Sequence, residues 1–179
     1  MEKMVEWALD NFPPNKDASI LEVGSGNGTL LFGLLEAGYD AMTLHGIDYS
    51  AGAVTLSKRI AETRGGSAIS FSECDFLNDD PAVREDKAQA GRIDIWDLLL
   101  DKGTYDAIAL GEKDEEGRSP VFRYPTRVAR LLKPGGLFLI TCKLKNKMWS
   151  DLLTLAFIVQ HATSLKRNLE QALLQKPPA

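Results

Sequence analysis

The sequence predicts an α/β layered domain, with a central, mostly parallel sheet flanked by helices. Three observations lead there. Short apolar runs alternate along the chain with segments of helical periodicity, the pattern of strand–helix–strand units. The first apolar run, Ser19 to Val23, enters a loop carrying Gly24, Gly26 and Gly28 and then a helical stretch, as a buried strand does. The 179 residues, 44% hydrophobic and 26% charged, suit one domain with its own core.

Val5, Ala8, Leu9 and Phe12 recur at helical spacing, so the chain starts on an amphipathic helix that Pro13-Pro14 ends. After the first strand, Thr29 to Ala37 reads as a helix with Leu30, Leu31, Leu34 and Leu35 inward and Gly38 as its cap. Thr43 to Asp48 reads as a strand and Ala51 to Thr63 as a helix closed by Gly65-Gly66. Ile69 to Cys74 is a third strand, with Ile69, Phe71 and Glu73 alternating. Asn78 to Arg92 is polar, contains Pro81, and reads as a loop or exposed helix. Ile95 to Asp101 is a fourth strand, Asp114 to Ser119 an acidic turn, and Pro125 to Leu132 a helix. Lys133-Pro134-Gly135-Gly136 is a tight turn before a fifth strand, Leu137 to Cys142.

After Cys142 the pattern changes. Lys143-Leu144-Lys145-Asn146-Lys147 is basic and lacks a period, and Leu152 to Val159 fits strand or helix. Leu165, Leu169, Ala172 and Leu173 fit one helix face. The chain therefore divides into a domain over residues 1–142 and a tail over residues 143–179 that is helical in part. Whether that tail supplies a last pair of strands stays open at this point.

The net charge of −4 argues against nucleic acid or an anionic membrane as the main partner. Leu152 to Val159 is too short to span a bilayer, and Met1 to Glu6 has no apolar secretory core. Cys74 and Cys142 form no Cys-x-x-Cys pair, so no metal is expected and both thiols read as reduced core residues of a cytoplasmic protein. His45 and His161 stand alone and read as structural. A monomer is the expectation.

The chemistry lies at the strand ends. A strand that turns directly into a helix presents backbone N–H groups to a ligand, and glycines let the ligand touch the backbone. In a dinucleotide fingerprint the third glycine would fall at position 29, which is Thr29. The pattern here is Glu22-x-Gly24-Ser25-Gly26-Asn27-Gly28, with an acid inside the strand. A carboxylate there sits poorly beside a pyrophosphate but suits a cofactor with an α-ammonium group, such as S-adenosyl-L-methionine. A nicotinamide-dependent enzyme is disfavoured on the same two residues.

Asp48, with Tyr49 beside it, ends the second strand, where a carboxylate can accept both hydroxyls of a ribose. Asp75-Phe76 ends the third strand, where an acid can accept from an adenine amino group and an aromatic can cover the ring. Asp101 ends the fourth and is the candidate to orient an incoming amine. Each acid has a plainer reading as a helix cap or turn residue.

These stretches, together with Leu100-Asp101-Lys102-Gly103-Thr104-Tyr105-Asp106 and Arg127 to Gly136, resemble the seven-β-strand lysine methyltransferases that modify translation elongation factor 1-alpha. The resemblance implies a Rossmann-like class I methyltransferase domain, with Glu22, Gly24, Gly26, Asp48 and Asp75 as cofactor contacts and a protein lysine as acceptor. It runs from Met4 to Cys142 and fails at both ends. Family members carry a segment ahead of the first helix and an Asn-Trp-Thr-like turn after the fifth strand, where this chain reads Lys143 to Trp149. The expectation is a truncated or mis-spliced product with intron read-through after Cys142. Two other readings stay open: a small-molecule methyltransferase, and a truncated form without activity.

Overall fold

The computed structural model of the chain describes residues 1–82, 95–113, 115–143 and 152–158. The helices are α1 (Glu2–Asn11), α2 (Thr29–Glu36), α3 (Ala51–Thr63), α4 (Thr104–Ala109) and α5 (Tyr124–Leu131). The strands are β1 (Ile20–Val23), β2 (Leu44–Asp48), β3 (Ser70–Glu73), β4 (Trp96–Lys102), β5 (Leu132–Lys143) and β6 (Leu152–Ile158). They form one sheet in the order β3-β2-β1-β4-β5-β6. The first five run parallel, and β6 lies antiparallel to β5, with Leu137 opposite Ile158 and Lys143 opposite Leu152.

Side-chain alternation along the strands divides the core between the two faces of the sheet. Leu21, Val23, Leu99 and Ile140 pack with Tyr124, Val128 and Leu131 of α5. Ile20, Leu98, Leu100 and Leu139 pack with Met4 and Ala8 of α1, Leu30 and Leu34 of α2, and Val54 of α3. Glu22 and Asp101 break this apolar alternation, and both are buried.

Strand order reverses between β1 and β4: the chain steps outward through β2 and β3, then crosses back to build β4 and β5 on the other side of β1. The crevice outside the carboxyl ends of strands at such a switch point is where open α/β sheets bind ligands.

Most elements fall within two residues of their expected positions. Three differ. The expected tight turn at Lys133–Gly136 lies within β5: Trp96 pairs with Leu132 while Leu98 pairs with Leu137, so the intervening residues bulge out. Gly135 takes the positive φ of 81° that the bulge requires. Lys133 Nζ ties the bulge to both Asp97 oxygens at 2.8 Å. The short helix α4 was not anticipated. In the tail, Leu152–Ile158 is a strand of the main sheet, so the sheet does not stop at Cys142. The remainder of the polar segment from residue 83, Asp114, His161 and the helical face at Leu165–Leu173 lie outside the described residues.

Candidate active site

The glycine loop is stitched to the end of β2 by its own amides. The Ser25 N–H donates to the Ile47 carbonyl at 2.9 Å, and the Gly28 N–H to the Ser25 carbonyl at 2.8 Å. The Gly26 N–H donates to Asp48 Oδ2 at 2.9 Å. Gly24 has φ 64°, and a Cβ there would stand 2.0 Å from Thr104 Oγ1. No other residue fits, because the conformation and the space both exclude a side chain. Gly26, at φ 54°, has no atom within 4 Å of where its Cβ would be, so the backbone is bare on that side.

Beneath the loop, Glu22 is 1% exposed; among the described residues neither carboxylate oxygen makes a hydrogen bond of ordinary geometry, the Leu31 N–H being the backbone donor turned toward it. Burial pushes its pKa up to about 8, with the Lys102 charge pulling the other way. Ser25 Oγ, also buried, has no partner among the described residues either. Buried polar atoms are nearly always paired, so these three oxygens mark a place for a donor. A ligand ammonium fits that set of acceptors in charge and in hydrogen-bonding capacity.

Above the strand ends is a cleft of about 320 Å³. Gly24, Asp48, Tyr49, Asp75 and Phe76, five of the residues expected from the sequence as cofactor contacts, are among those that line it. Thr104, Ala107 and Ile108 of α4 form the facing wall. Glu22, Ser25, Gly26, Asn27 and Gly28 are not part of that lining. Asn27 points outward, and its Oδ1 accepts from the Thr29 N–H and hydroxyl, so it caps the start of α2.

Asp48 has two jobs already. Its Oδ2 holds the loop through Gly26, and its Oδ1 accepts from the Ser50 N–H at 2.9 Å. A carboxylate has about four acceptor sites, so capacity remains for ribose hydroxyls. Tyr49 is 81% exposed at the rim. Asp75 Oδ1 accepts from the Leu77 N–H at 3.0 Å and its Oδ2 from Asn78 Nδ2 at 2.6 Å, which shapes the loop after β3. The Phe76 ring, expected as a free cover for a base, is 5% exposed and packs at 5.0 Å on Tyr124. Only its cleft-facing surface is available. Cys74, free and buried, also borders the cleft, and burial pushes its thiol up to about 11.

Asp101 was expected to orient an amine, and the structure gives it a different place. It is fully buried and, unlike Glu22, has both oxygens occupied, holding the first N–H groups of α4. Its oxygens accept from the Thr104 N–H at 2.7 Å, the Tyr105 N–H at 2.9 Å and the Tyr124 hydroxyl. Burial raises its pKa to about 6, opposed by those hydrogen bonds. The plainer cap reading describes what this side chain touches. His45 is also structural, edge-on to Trp96 at 4.9 Å.

Sequence reasoning missed the α4 wall and the residues behind it. Thr104 donates from Oγ1 to the Val23 carbonyl at 2.8 Å, fastening α4 to β1. The signal was Gly103, at φ 94°, followed by a helix-compatible stretch too short to show a period. Arg127 of α5 reaches Phe76 and Asp79, contacts that no local pattern reveals.

A switch-point cleft beside a glycine loop is where open α/β sheets of the doubly wound class take their ligands. A family model for the methyltransferase domain matches residues 14–175, and the chain belongs to that family. Among its relatives is the protein-lysine N-methyltransferase efm4 of Schizosaccharomyces pombe, 38% identical over 152 residues that cover 78% of this chain and 60% of that protein. The EEF1A lysine methyltransferase 2 of Mus musculus is 36% identical over 141 residues, 79% of this chain and 52% of that protein. The chain thus spans between half and two thirds of the length of these relatives. A geranyl diphosphate C-methyltransferase from Streptomyces coelicolor, solved with Mg²⁺, geranyl diphosphate and S-adenosyl-L-homocysteine, shares the fold. Its TM-score is 0.55 at 14% identity, covering 79% of this chain and 44% of that one.

Proposed function

We propose that this chain is the catalytic domain of an S-adenosyl-L-methionine-dependent protein-lysine N-methyltransferase, and that its substrate is translation elongation factor 1-alpha. The observation that carries the reading is the buried carboxyl of Glu22 beneath a glycine loop, with no side-chain partner among the described residues, in a chain 38% identical to a protein-lysine N-methyltransferase. Asp48 and Asp75, at neighbouring strand ends along one cleft, support an adenosine end in the same place.

When bound, the cofactor supplies a methyl group on a sulfonium, already a strong electrophile. The work of the chain is to place and orient. Glu22 gives up its proton and pairs with the cofactor's ammonium. Asp48 accepts from the ribose hydroxyls while keeping the Gly26 amide in place. Asp75 and the exposed side of Phe76 frame the base. The Gly24 backbone, held close by Thr104, forms the floor. Positioning of this kind converts an encounter into a near-unimolecular step. The acceptor lysine attacks as a neutral amine, so its ordinary pKa of about 10.4 has to fall, and a partly buried approach beside the cleft lowers it.

The other parts of the reading are a cytoplasmic location, a monomeric state, and a protein partner in place of nucleic acid or membrane. The net charge of −4 supports the last of these. No described helix is long and apolar enough to cross a membrane, and no described cluster of His, Cys, Asp and Glu could hold a metal.

Incubation with methyl-labelled cofactor and purified elongation factor 1-alpha tests the reading. Label on a lysine of the factor, lost in Asp48→Ala, is the expected result. Label that appears only on small amines, or none from a length matching the relatives, would refute it.

A further inference from the structure

Two residues three apart on α5 touch opposite walls of the cleft. Tyr124 and Arg127 project from the same helix face, and both are buried, at 0% and 9% exposure. The Tyr124 hydroxyl donates to Asp101, whose carboxylate fixes the first N–H groups of α4. That helix is one wall.

The Arg127 guanidinium serves the other wall. Nε donates to the Phe76 carbonyl at 2.8 Å, one terminal nitrogen donates to the Asp79 carbonyl, and the other pairs with Asp80 at 3.0 Å. The group also lies over the Phe76 ring, 6.0 Å from its centroid. Three contacts in different directions use the planar fork, which an ammonium cannot reproduce. Between the walls stands the Tyr124 ring, 5.0 Å from Phe76 and 5.2 Å from Tyr105.

We infer that Tyr124 and Arg127 are positioning residues that set the separation of the two walls of the cleft, and thereby the affinity for the adenosyl part of the cofactor, without touching it. The inference rests on the cofactor reading given above. Arg127 orders the loop that presents Asp75 and Phe76. Tyr124 orders the helix that presents Thr104 and Ile108. Without either, one wall loses its buried backing, the Arg123–Asn78 and Arg130–Asp80 contacts on the loop being exposed, while β1 and the glycine loop keep theirs.

Calorimetric titration of the full chain with S-adenosylhomocysteine, and separately with adenosine, tests this. Arg127→Gln removes the fork, and near-UV circular dichroism reports whether the variant is folded. Its dissociation constant for both ligands is expected to rise about tenfold, because two carbonyls and a carboxylate lose their donor. Arg127→Lys, which keeps the charge and most of the packing, is expected to lose about threefold and covers the case in which Gln prevents folding. Arg130→Gln is the control: it removes an exposed 2.9 Å contact to Asp80 on the same helix. It is expected to stay within about twofold of wild type. Equal affinity in folded Arg127→Gln, or equal losses in the Arg127 and Arg130 variants, overturns the inference while the cofactor reading stands. Failure of wild type to bind either ligand overturns both.

Discussion

The half of the cleft built from the glycine loop and β2 is held mainly by backbone groups, whereas the half built from α4 and the loop after β3 is held by side chains, those of Tyr124 and Arg127 coming from α5. In the first half, amides of Ser25, Gly26 and Gly28 find partners within the loop or on β2, and the side chain that accepts from one of them is Asp48. In the second half, Asp101, Thr104, Tyr124 and Arg127 make the contacts. Backbone-held geometry depends on glycine at fixed positions and tolerates nothing else. Side-chain-held geometry depends on partners far apart in sequence and fails by degrees.

The largest expected effect breaks the first half. Gly24→Ala puts a methyl group 2.0 Å from Thr104 Oγ1 at a φ of 64°. It should cost about 3 kcal/mol in urea unfolding and abolish binding of S-adenosylhomocysteine. A well-folded alanine variant with normal binding would mean that the loop is not held as described.

Tyr124→Phe breaks the second half more gently. Asp101 stands at about 6, against an ordinary 3.8, because burial outweighs its hydrogen bonds. A carboxyl raised on folding contributes its full stability below its unfolded pKa and loses it as pH climbs through the folded value. Removing the Tyr124 donor raises it further, so the loss extends above pH 6. The variant should trail wild type by about 1–2 kcal/mol at pH 8, and by less at pH 4. A gap that is the same at both pH values would show that the hydroxyl does not support the ionised carboxylate.

Glu22→Gln sharpens the comparison from beneath. Burial holds Glu22 at about 8 rather than 4.5, so wild type without ligand loses stability as pH rises between those values. Glutamine does not titrate. The melting temperature of the variant relative to wild type should therefore climb from pH 5 to pH 8.5, while its affinity for the cofactor falls. No climb would mean that Glu22 is already ionised and partnered. The smallest effect belongs to Tyr49→Ala, at the 81% exposed rim. It should change stability by less than about 0.5 kcal/mol.

The same division explains what could be read from the sequence. Glycines at alternate positions after an apolar run announce a backbone conformation, and the acids at strand ends follow from the sheet, so Gly24, Asp48 and Asp75 stand out in the sequence alone. The role of Asp101 was not, because a carboxylate that caps a helix and one that aims a substrate look alike in sequence. Burial and the Tyr124 hydroxyl, 23 residues away, separate them. Helix α4 has only six residues, fewer than two turns, which is too short for periodicity to register. The packing of Phe76 on Tyr124 and under Arg127 is not legible in the sequence, because those partners come from a helix about fifty residues later. Strand β6 was ambiguous because a short apolar run has no period of its own, and only pairing with β5 decides it.

The most direct measurement is calorimetric titration of the wild-type chain with S-adenosylhomocysteine near pH 7, in two buffers of different ionisation enthalpy. Glu22, protonated at that pH when alone, must ionise to meet an ammonium. The expected result is saturable micromolar binding with release of roughly one proton per ligand, and no release in Glu22→Gln. Binding with no proton released, or preferential binding of a nicotinamide dinucleotide, would contradict the assignment of this cleft to S-adenosyl-L-methionine.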